Sequence, residues 1–464
     1  MFIGRERELS ELDRLYHSGD FQFPVIYGRR RIGKTSLINE FIRDKETIFF
    51  TGLETNGKQN LENFSRAVFE HVNGPGPVPV FGSFQEALEF VFALSEKKHL
   101  ILVIDEYPYL ARSYKGFASI LQMLIDKHKD SSKLFLILCG SSMSFMENQV
   151  LGRKSPLYGR RTAQFKIMPF DFFESRRCFS GFTEMDMVTI YGIAGGTPQY
   201  LLQMNDMLSV EENIRNAFLN TSSYLFEEPN NLLKQEVREP AVYNAIIAAI
   251  ASGSTRVSEI SDKTGEETAV CSVYLKNLIS LGIVRKEKPI AETTKKKTIY
   301  MIADNMFRFW YRFIPPNFSL IQNEIIDAAY RNISEQLPSF TGAVFEDICK
   351  QYLWHLNRIG DVPFVFTEAG RWWGGDPETK SGAEIDILAI DNKDSAVFCE
   401  CKWTNEDFDV AALDKLVRRS GSFRFGKKYF YLFAKNGFTP ECVRRSDELG
   451  NVRCITYGDM MQRK

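Results

Sequence analysis

Between residues 23 and 140 short apolar runs alternate with segments whose apolar positions recur every three or four residues. That pattern belongs to strands buried on both faces and separated by amphipathic helices. Strands are predicted over 24–27, 47–51, 100–105, 134–140 and 163–167, giving a three-layer α/β core over 1–169. From 170 to 238 the pattern turns helical, broken mainly at Gly195-Gly196-Thr197-Pro198, and reads as a helical lid. Three helical patterns follow, at 241–251, 256–263 and 267–281, and then a basic, β-branched stretch, 284–302, with a break near Thr293-Thr294. Helix, helix-turn-helix, hairpin is the order a winged helix requires, here over 239–305. A last domain is predicted over 306–464, where all five tryptophans (310, 354, 372, 373 and 403) fall.

Composition narrows the classes. With 44% hydrophobic and 25% charged residues in 464, apolar area is ample for packed cores and bulk disorder is excluded. Lys and Arg number 58 against 59 Asp and Glu, so no global positive field marks a nucleic-acid or anionic-membrane partner, and any polyanion site must be local. Apolar runs such as 134–139 fall far short of the roughly 18–20 residues a membrane span needs, so no membrane partner is expected. The opening residues lack the charged and apolar regions of a secretory signal. The cysteines are scattered without Cys-x-x-Cys pairs, as reduced thiols of a cytoplasmic protein would be.

The sharpest chemical signal is Gly28-Arg29-Arg30-Arg31-Ile32-Gly33-Lys34-Thr35, with Ser36 next, between the strand ending at Tyr27 and a helix-compatible run. It fits G-x-x-x-x-G-K-[ST], and strand-loop-helix geometry aims its amides and the helix N-terminus at phosphate oxygens. Gly28 and Gly33 would admit the anion, Lys34 would neutralise β/γ charge and the Thr35 hydroxyl would ligate Mg²⁺. Such a loop requires a second strand ending in an acid, and 100–105 supplies it. Asp105 would hold the Mg²⁺ shell, and Glu106 would polarise the attacking water.

These motifs resemble the AAA+-related STAND ATPases, in particular the archaeal-type ATPase family, over about residues 1 to 235. The resemblance extends to Phe2-Ile3-Gly4-Arg5-Glu6-Arg7-Glu8, similar to the family's element near the adenine, and to Gly140-Ser141-Ser142, where relatives carry a polar γ-phosphate sensor. Gly196-Thr197-Pro198 looks like the lid's nucleotide-contacting GxP motif, and Tyr158-Gly159-Arg160-Arg161 is similar to a family signature. It implies an ATP-hydrolysing molecular switch with ATP and Mg²⁺ as cofactors, with Arg5, Ser141 and Pro198 at the nucleotide and one of Arg160 or Arg161 approaching phosphate. A solvated arginine pair is the alternative.

The winged-helix segment carries Arg285, Lys286, Lys288, Lys295, Lys296 and Lys297 around its hairpin, a set able to meet DNA phosphates without reading sequence. Its recognition helix, 267–281, opens on Glu266 and Glu267 and argues as well for a structural or protein-contact role, and a protein partner or self-association is the other partner class expected.

The runs 384–390 and 397–403 form a second constellation. A turn centred on Lys393 pairs residues whose numbers sum to 786, so Asp386 faces Glu400, with Lys402 on the same strand face. Opposed carboxylates repel unless a cation sits between them, so Asp386 and Glu400 are candidate Mg²⁺ ligands, Glu346 a third acid, and Lys402 a group to activate water. The alternative is a solvated hairpin with a Glu384–Lys402 pair. The arrangement resembles the PD-(D/E)xK nucleases, which implies a restriction-endonuclease-like α/β fold, active or catalytically dead. Trp372 and Trp373 would either stack on bases or fill the core.

Overall fold

The computed structural model describes residues 2–292, 297–375, 382–391 and 393–462, which divide into two compact units. The first comprises 1–170 with 197–202 and 280–282; the second comprises the remainder.

In the first unit five strands, β1 (Pro24–Tyr27), β2 (Thr47–Thr51), β3 (Leu100–Asp105), β4 (Leu134–Gly140) and β5 (Ala163–Lys166), form a parallel sheet in the order β2-β3-β4-β1-β5. Every residue of β1, β3 and β4 is buried, as uninterrupted apolar runs require. On one face Leu12, Leu37, Ile38 and Phe41, from the helices Glu6–Tyr16 and Lys34–Ile42, pack on Ile26, Ile101, Val103 and Ile137. Leu102, Ile104, Leu136 and Leu138 point the other way and are as fully buried, and the helices Phe84–Lys97 and Tyr107–Ser113 pack against β4. Because the strands are parallel, the loop after β1 and the ends of β3 and β4 share one edge.

The second unit contains the helices within 171–196 and 203–236 and then Pro240–Ala251, Val257–Thr264 and Thr268–Ser280 in the predicted order. The hairpin β6 (Val284–Glu287) and β7 (Ile299–Ile302) pairs Val284 with Ile302 and Glu287 with Ile299. Its expected break at Thr293-Thr294, with Lys295 and Lys296, lies outside the described residues.

Beyond it a mixed sheet runs β12-β11-β10-β9-β8: β8 (Glu368–Gly375), β9 (Gly382–Ile390), β10 (Ser395–Lys402), β11 (Lys427–Ala434) and β12 (Val452–Thr456). The β9–β10 register is the one expected: Ala396 opposes Ile390 and Cys399 opposes Ile387. The Asp391 carboxylate organises the turn by accepting the amides of Lys393 and Ser395, each at 2.9 Å. Helices Val410–Ser420 and Pro440–Leu449 cover one face through Leu413, Leu416 and Cys442. The helix Leu337–Ile359 packs against β9 and β10. Trp372 packs into this core with its ring 4.9 Å from Phe423, the core use of the two weighed for it. Among the described residues no helix is long and apolar enough to cross a membrane.

Candidate functional site

At the shared edge of the parallel sheet Gly28 leaves β1 where no side chain fits: a Cβ there would lie 2.4 Å from Ile32 Cδ1 and 2.6 Å from the Ile167 carbonyl oxygen. Arg31 and Gly33 take left-handed backbone, φ 72° and 84°, which curls the loop before the helix Lys34–Ile42 begins. Lys34 Nζ is buried and donates to the carbonyls of Gly28 and Arg29 at 3.0 Å each, so the ammonium lies under the loop's concave backbone. Ser36 lies in the first helical turn, exposed.

The Thr35 hydroxyl donates to Asp105 Oδ2 at 2.9 Å, and the other Asp105 oxygen accepts the Glu106 amide. Glu106, in left-handed backbone at φ 47°, accepts a 2.9 Å hydrogen bond from the Ser141 hydroxyl at the end of β4. Three strands thus deliver hydroxyl, acid, acid and hydroxyl to one place. Arg5 donates to the carbonyls of Ile32 and Met168, and its guanidinium lies 4.6 Å over the Phe170 ring. Arg29 donates to the Thr197 hydroxyl at 2.8 Å, Gln199 donates its amide to the Arg31 carbonyl, and Pro198 stands beside Gly33. Arg30 donates to the Tyr109 hydroxyl at 2.7 Å, a partner without any motif to reveal it.

For Arg160 the structure shows the paired alternative, an ion pair with Asp126. Arg160 and Arg161 precede β5, so they lie at the sheet edge opposite the phosphate loop. Arg160 is held bidentately by Asp126 at 2.8 and 2.6 Å, and Arg161 stacks over Tyr158.

The second constellation gathers around a bulge. Gly370 pairs with Leu388 but Trp372 pairs with Ile385, so Asp386 and Ile387 together oppose Arg371. Bulges re-aim side chains, and Asp386 Oδ2 accepts the Cys401 amide at 2.7 Å where the β9–β10 ladder stops. Burial, and then the charge of Asp386, push Glu346 up to about 8. The same two causes raise Glu400 to about 7 against the pull of Arg419, Lys415 and Lys402. Asp386 is itself raised by burial. The structure therefore brings Asp386 into electrostatic range of both Glu346 and Glu400.

Among the described residues, however, no three acidic, histidine or cysteine side chains converge as a metal's ligand set would. Lys402 Nζ lies over the Phe408 ring and 3.8 Å from Asp409, and Glu384 pairs with Arg371, so the Glu384–Lys402 pair does not form.

One charged cluster the motifs did not reveal lies beside Glu346. Asp347 meets Arg285 at 3.1 Å, Arg308 at 3.3 Å and Lys350 at 3.7 Å. Burial alone would raise Asp347, but Arg285, Arg308 and Lys350 overrule it and hold the carboxyl well below its usual range. Arg285, expected among the DNA-facing basic residues, instead turns inward to Asp347 and Glu287; Lys297 pairs with Glu292.

Comparison with known proteins follows the same division. Residues 2–204 match the family described as an ATPase domain predominantly from Archaea, and 310–414 match a family of archaeal and bacterial proteins of unknown function. Uncharacterized protein MJECL04 of Methanocaldococcus jannaschii is 35% identical over 424 residues, covering 90% of this chain and 92% of that one. Uncharacterized ATP-binding protein MJ0423 of the same organism is 41% identical over 46 residues, 10% of this chain and 78% of its own length. The Walker-type ATPase PABY2304 of Pyrococcus abyssi shares the fold, with a TM-score of 0.51 at 21% identity over 67% of this chain and 96% of that chain. Phosphate loop, acidic strand and a relative matched over nine-tenths of both chains converge, and the chain belongs to the family of ATP-binding P-loop ATPases whose ATPase domain occurs predominantly in Archaea.

Proposed function

We propose that this ATPase is a STAND-type molecular switch in which ATP·Mg²⁺ at the phosphate loop controls the modules after it. These are a helical lid over 170–238, a winged helix over 239–305 and a nuclease-like domain over 306–464. The observation that carries the reading is the contact of Thr35 with Asp105 beside that of Ser141 with Glu106. Thr35 and Asp105 present adjacent hard oxygens, the donor set Mg²⁺ prefers, and that ion would supply charge neutralisation at the β/γ-phosphates. Lys34 would exchange its loop carbonyls for phosphate oxygens, while Glu106 would orient and polarise the attacking water, with Ser141 holding that carboxylate until water arrives. Gly28 to Ser36 cradle the phosphates through backbone amides, and Arg5 and Pro198 border the nucleotide. Lys34→Ala should abolish ATP binding by calorimetry; unchanged affinity removes the assignment.

For the last domain we favour metal-dependent phosphodiester chemistry on DNA, with Glu346, Asp386 and Glu400 as oxygen ligands and Lys402 as the activating group. Its support is the bulge at Asp386 together with the charge of that carboxylate acting on both Glu346 and Glu400. A second reading, an inactive DNA- or protein-binding scaffold, is favoured by the position of Lys402 against Phe408 and Asp409. Plasmid nicking with Mg²⁺ or Mn²⁺ separates them: loss in Asp386→Ala and Lys402→Ala supports cleavage, and equal nicking by all three proteins leaves the scaffold.

A further inference from the structure

The phosphate loop carries Arg29, Arg30 and Arg31 in succession, and the structure sends them to different places. Arg29 is buried on the Thr197 hydroxyl, Arg31 lends its carbonyl to the Gln199 amide, and Arg30, half-buried, reaches the Tyr109 hydroxyl at 2.7 Å. Topology sets where that last bond runs. β4 lies between β1 and β3, so a link from the loop after β1 to the helix after β3 crosses the end of β4. That end is where the Ser141 hydroxyl meets Glu106 at 2.9 Å. The helix Tyr107–Ser113 leans closely over it, for a Cβ on Gly140 would lie 2.8 Å from Pro108 Cδ. Tyr109 is tied to the same acidic residue, its amide donating to the Glu106 carbonyl at 3.0 Å. The Arg30 side chain is thus strung from the phosphate loop to the turn that carries Glu106, across the strand end that carries Ser141.

We propose that Arg30 is a catalytic residue of ATP hydrolysis, supplied in cis, which stabilises the charge growing on the γ-phosphoryl oxygens, with Tyr109 as its positioning residue. The proposal rests on the reading of Lys34 as the phosphate ligand and Glu106 as the acid that polarises water, and adds the group that answers the developing charge. As the water oxygen bonds to the γ-phosphorus, the bond to the β,γ-bridging oxygen breaks and ADP keeps its electron pair, while the water's proton passes to Glu106. Negative charge then gathers on oxygens held between the loop and Glu106. A planar guanidinium with five N–H donors can keep one on a tyrosine and give another to such an oxygen. Placed beforehand by Tyr109, it needs no reorganisation at the moment of transfer.

The test uses the full chain with ATP·Mg²⁺. Arg30→Ala should keep ATP affinity within about threefold by calorimetry and lower kcat about 10³–10⁵-fold, with Arg30→Lys restoring only a small part. ADP with aluminium fluoride mimics the transferring phosphoryl group. Wild type should trap it, whereas Arg30→Ala should bind ADP without trapping, a separation that a merely structural role would not produce. Tyr109→Phe should lower kcat by less than Arg30→Ala, at unchanged affinity. Arg30→Gln takes the place of Arg30→Ala if that variant does not fold. Mixing Arg30→Ala with Lys34→Ala should restore nothing; recovered turnover places the arginine across two copies and overturns the cis assignment. Unchanged kcat in Arg30→Ala, or weakened ATP binding with kcat kept, overturns the proposal. Where wild-type turnover is too slow to measure, trapping decides, and equal trapping by Arg30→Ala overturns it. If Lys34→Ala binds ATP as wild type does, the reading of the phosphate loop falls first and takes this proposal with it.

Discussion

Gly28 and Glu346 are single residues whose surroundings dictate measurable behaviour. Replacing Gly28 with Ala drives a methyl group into Ile32 and the Ile167 carbonyl, so the loop or β5 must shift. Overpacking of this kind costs about 1–3 kcal/mol, and the variant should both unfold earlier in denaturant and bind ATP more weakly. Arg31 accepts left-handed backbone at a cost of about 1–2 kcal/mol, strain held in the nucleotide loop itself. Glu106→Gln should keep ATP affinity and lose about 10²–10⁴-fold in hydrolysis, read by steady-state phosphate release. Glu346 titrates upward, to about 8 from an ordinary value near 4.5. Its contribution to stability is therefore complete below pH 4.5 and lost as pH rises through 8. Relative to Glu346→Gln, wild-type melting temperature should fall across that window; parallel curves would refute the shift.

At the scale of elements, the strand pairings that matter are those whose ends carry chemistry. β1, β3 and β4 are parallel neighbours, so a loop, an acid and a hydroxyl separated by many residues in the chain meet at one edge. The same rule sends Arg160 and Arg161 to the other edge, because they precede a strand rather than follow one. In the last sheet the bulge in β9 makes Asp386 a side-chain acceptor for the β10 backbone. Between elements, Asp347 joins the hairpin, the helix Asn305–Gln322 and the helix Leu337–Ile359 through Arg285 and Arg308. Asp347→Asn strands the Arg308 guanidinium without a countercharge, while Arg285 keeps Glu287, and should cost about 3–5 kcal/mol in chemical denaturation, far more than the loss of an exposed ion pair.

On the scale of the whole molecule, nucleotide is a stabilising ligand of the first unit. At a concentration of 100 times its Kd, ATP·Mg²⁺ should add about 2.7 kcal/mol, seen as a raised melting temperature that Lys34→Ala abolishes. The proposed switch demands more: ATP must also alter amide exchange in the second unit, over 284–302 and 368–390. A change confined to the first unit would leave an ATPase without that coupling.

The amino-acid sequence by itself determined the strands of the first sheet, the phosphate loop, the acidic strand and the β9–β10 register, because these rest on local spacing: period-two and period-3.6 apolarity, and a turn centred on Lys393. Only tertiary structure decided which charged residues meet. Arg285 and Lys286 are adjacent and equally basic in sequence, yet one is turned inward to a carboxylate 62 positions away and the other lies exposed near Tyr300. Likewise Lys402 follows Glu400 at the expected spacing, but its ammonium settles over Phe408. Strand parity sets the face of a side chain, whereas the destination of a long flexible charge depends on packing and counterions brought from elsewhere in the chain.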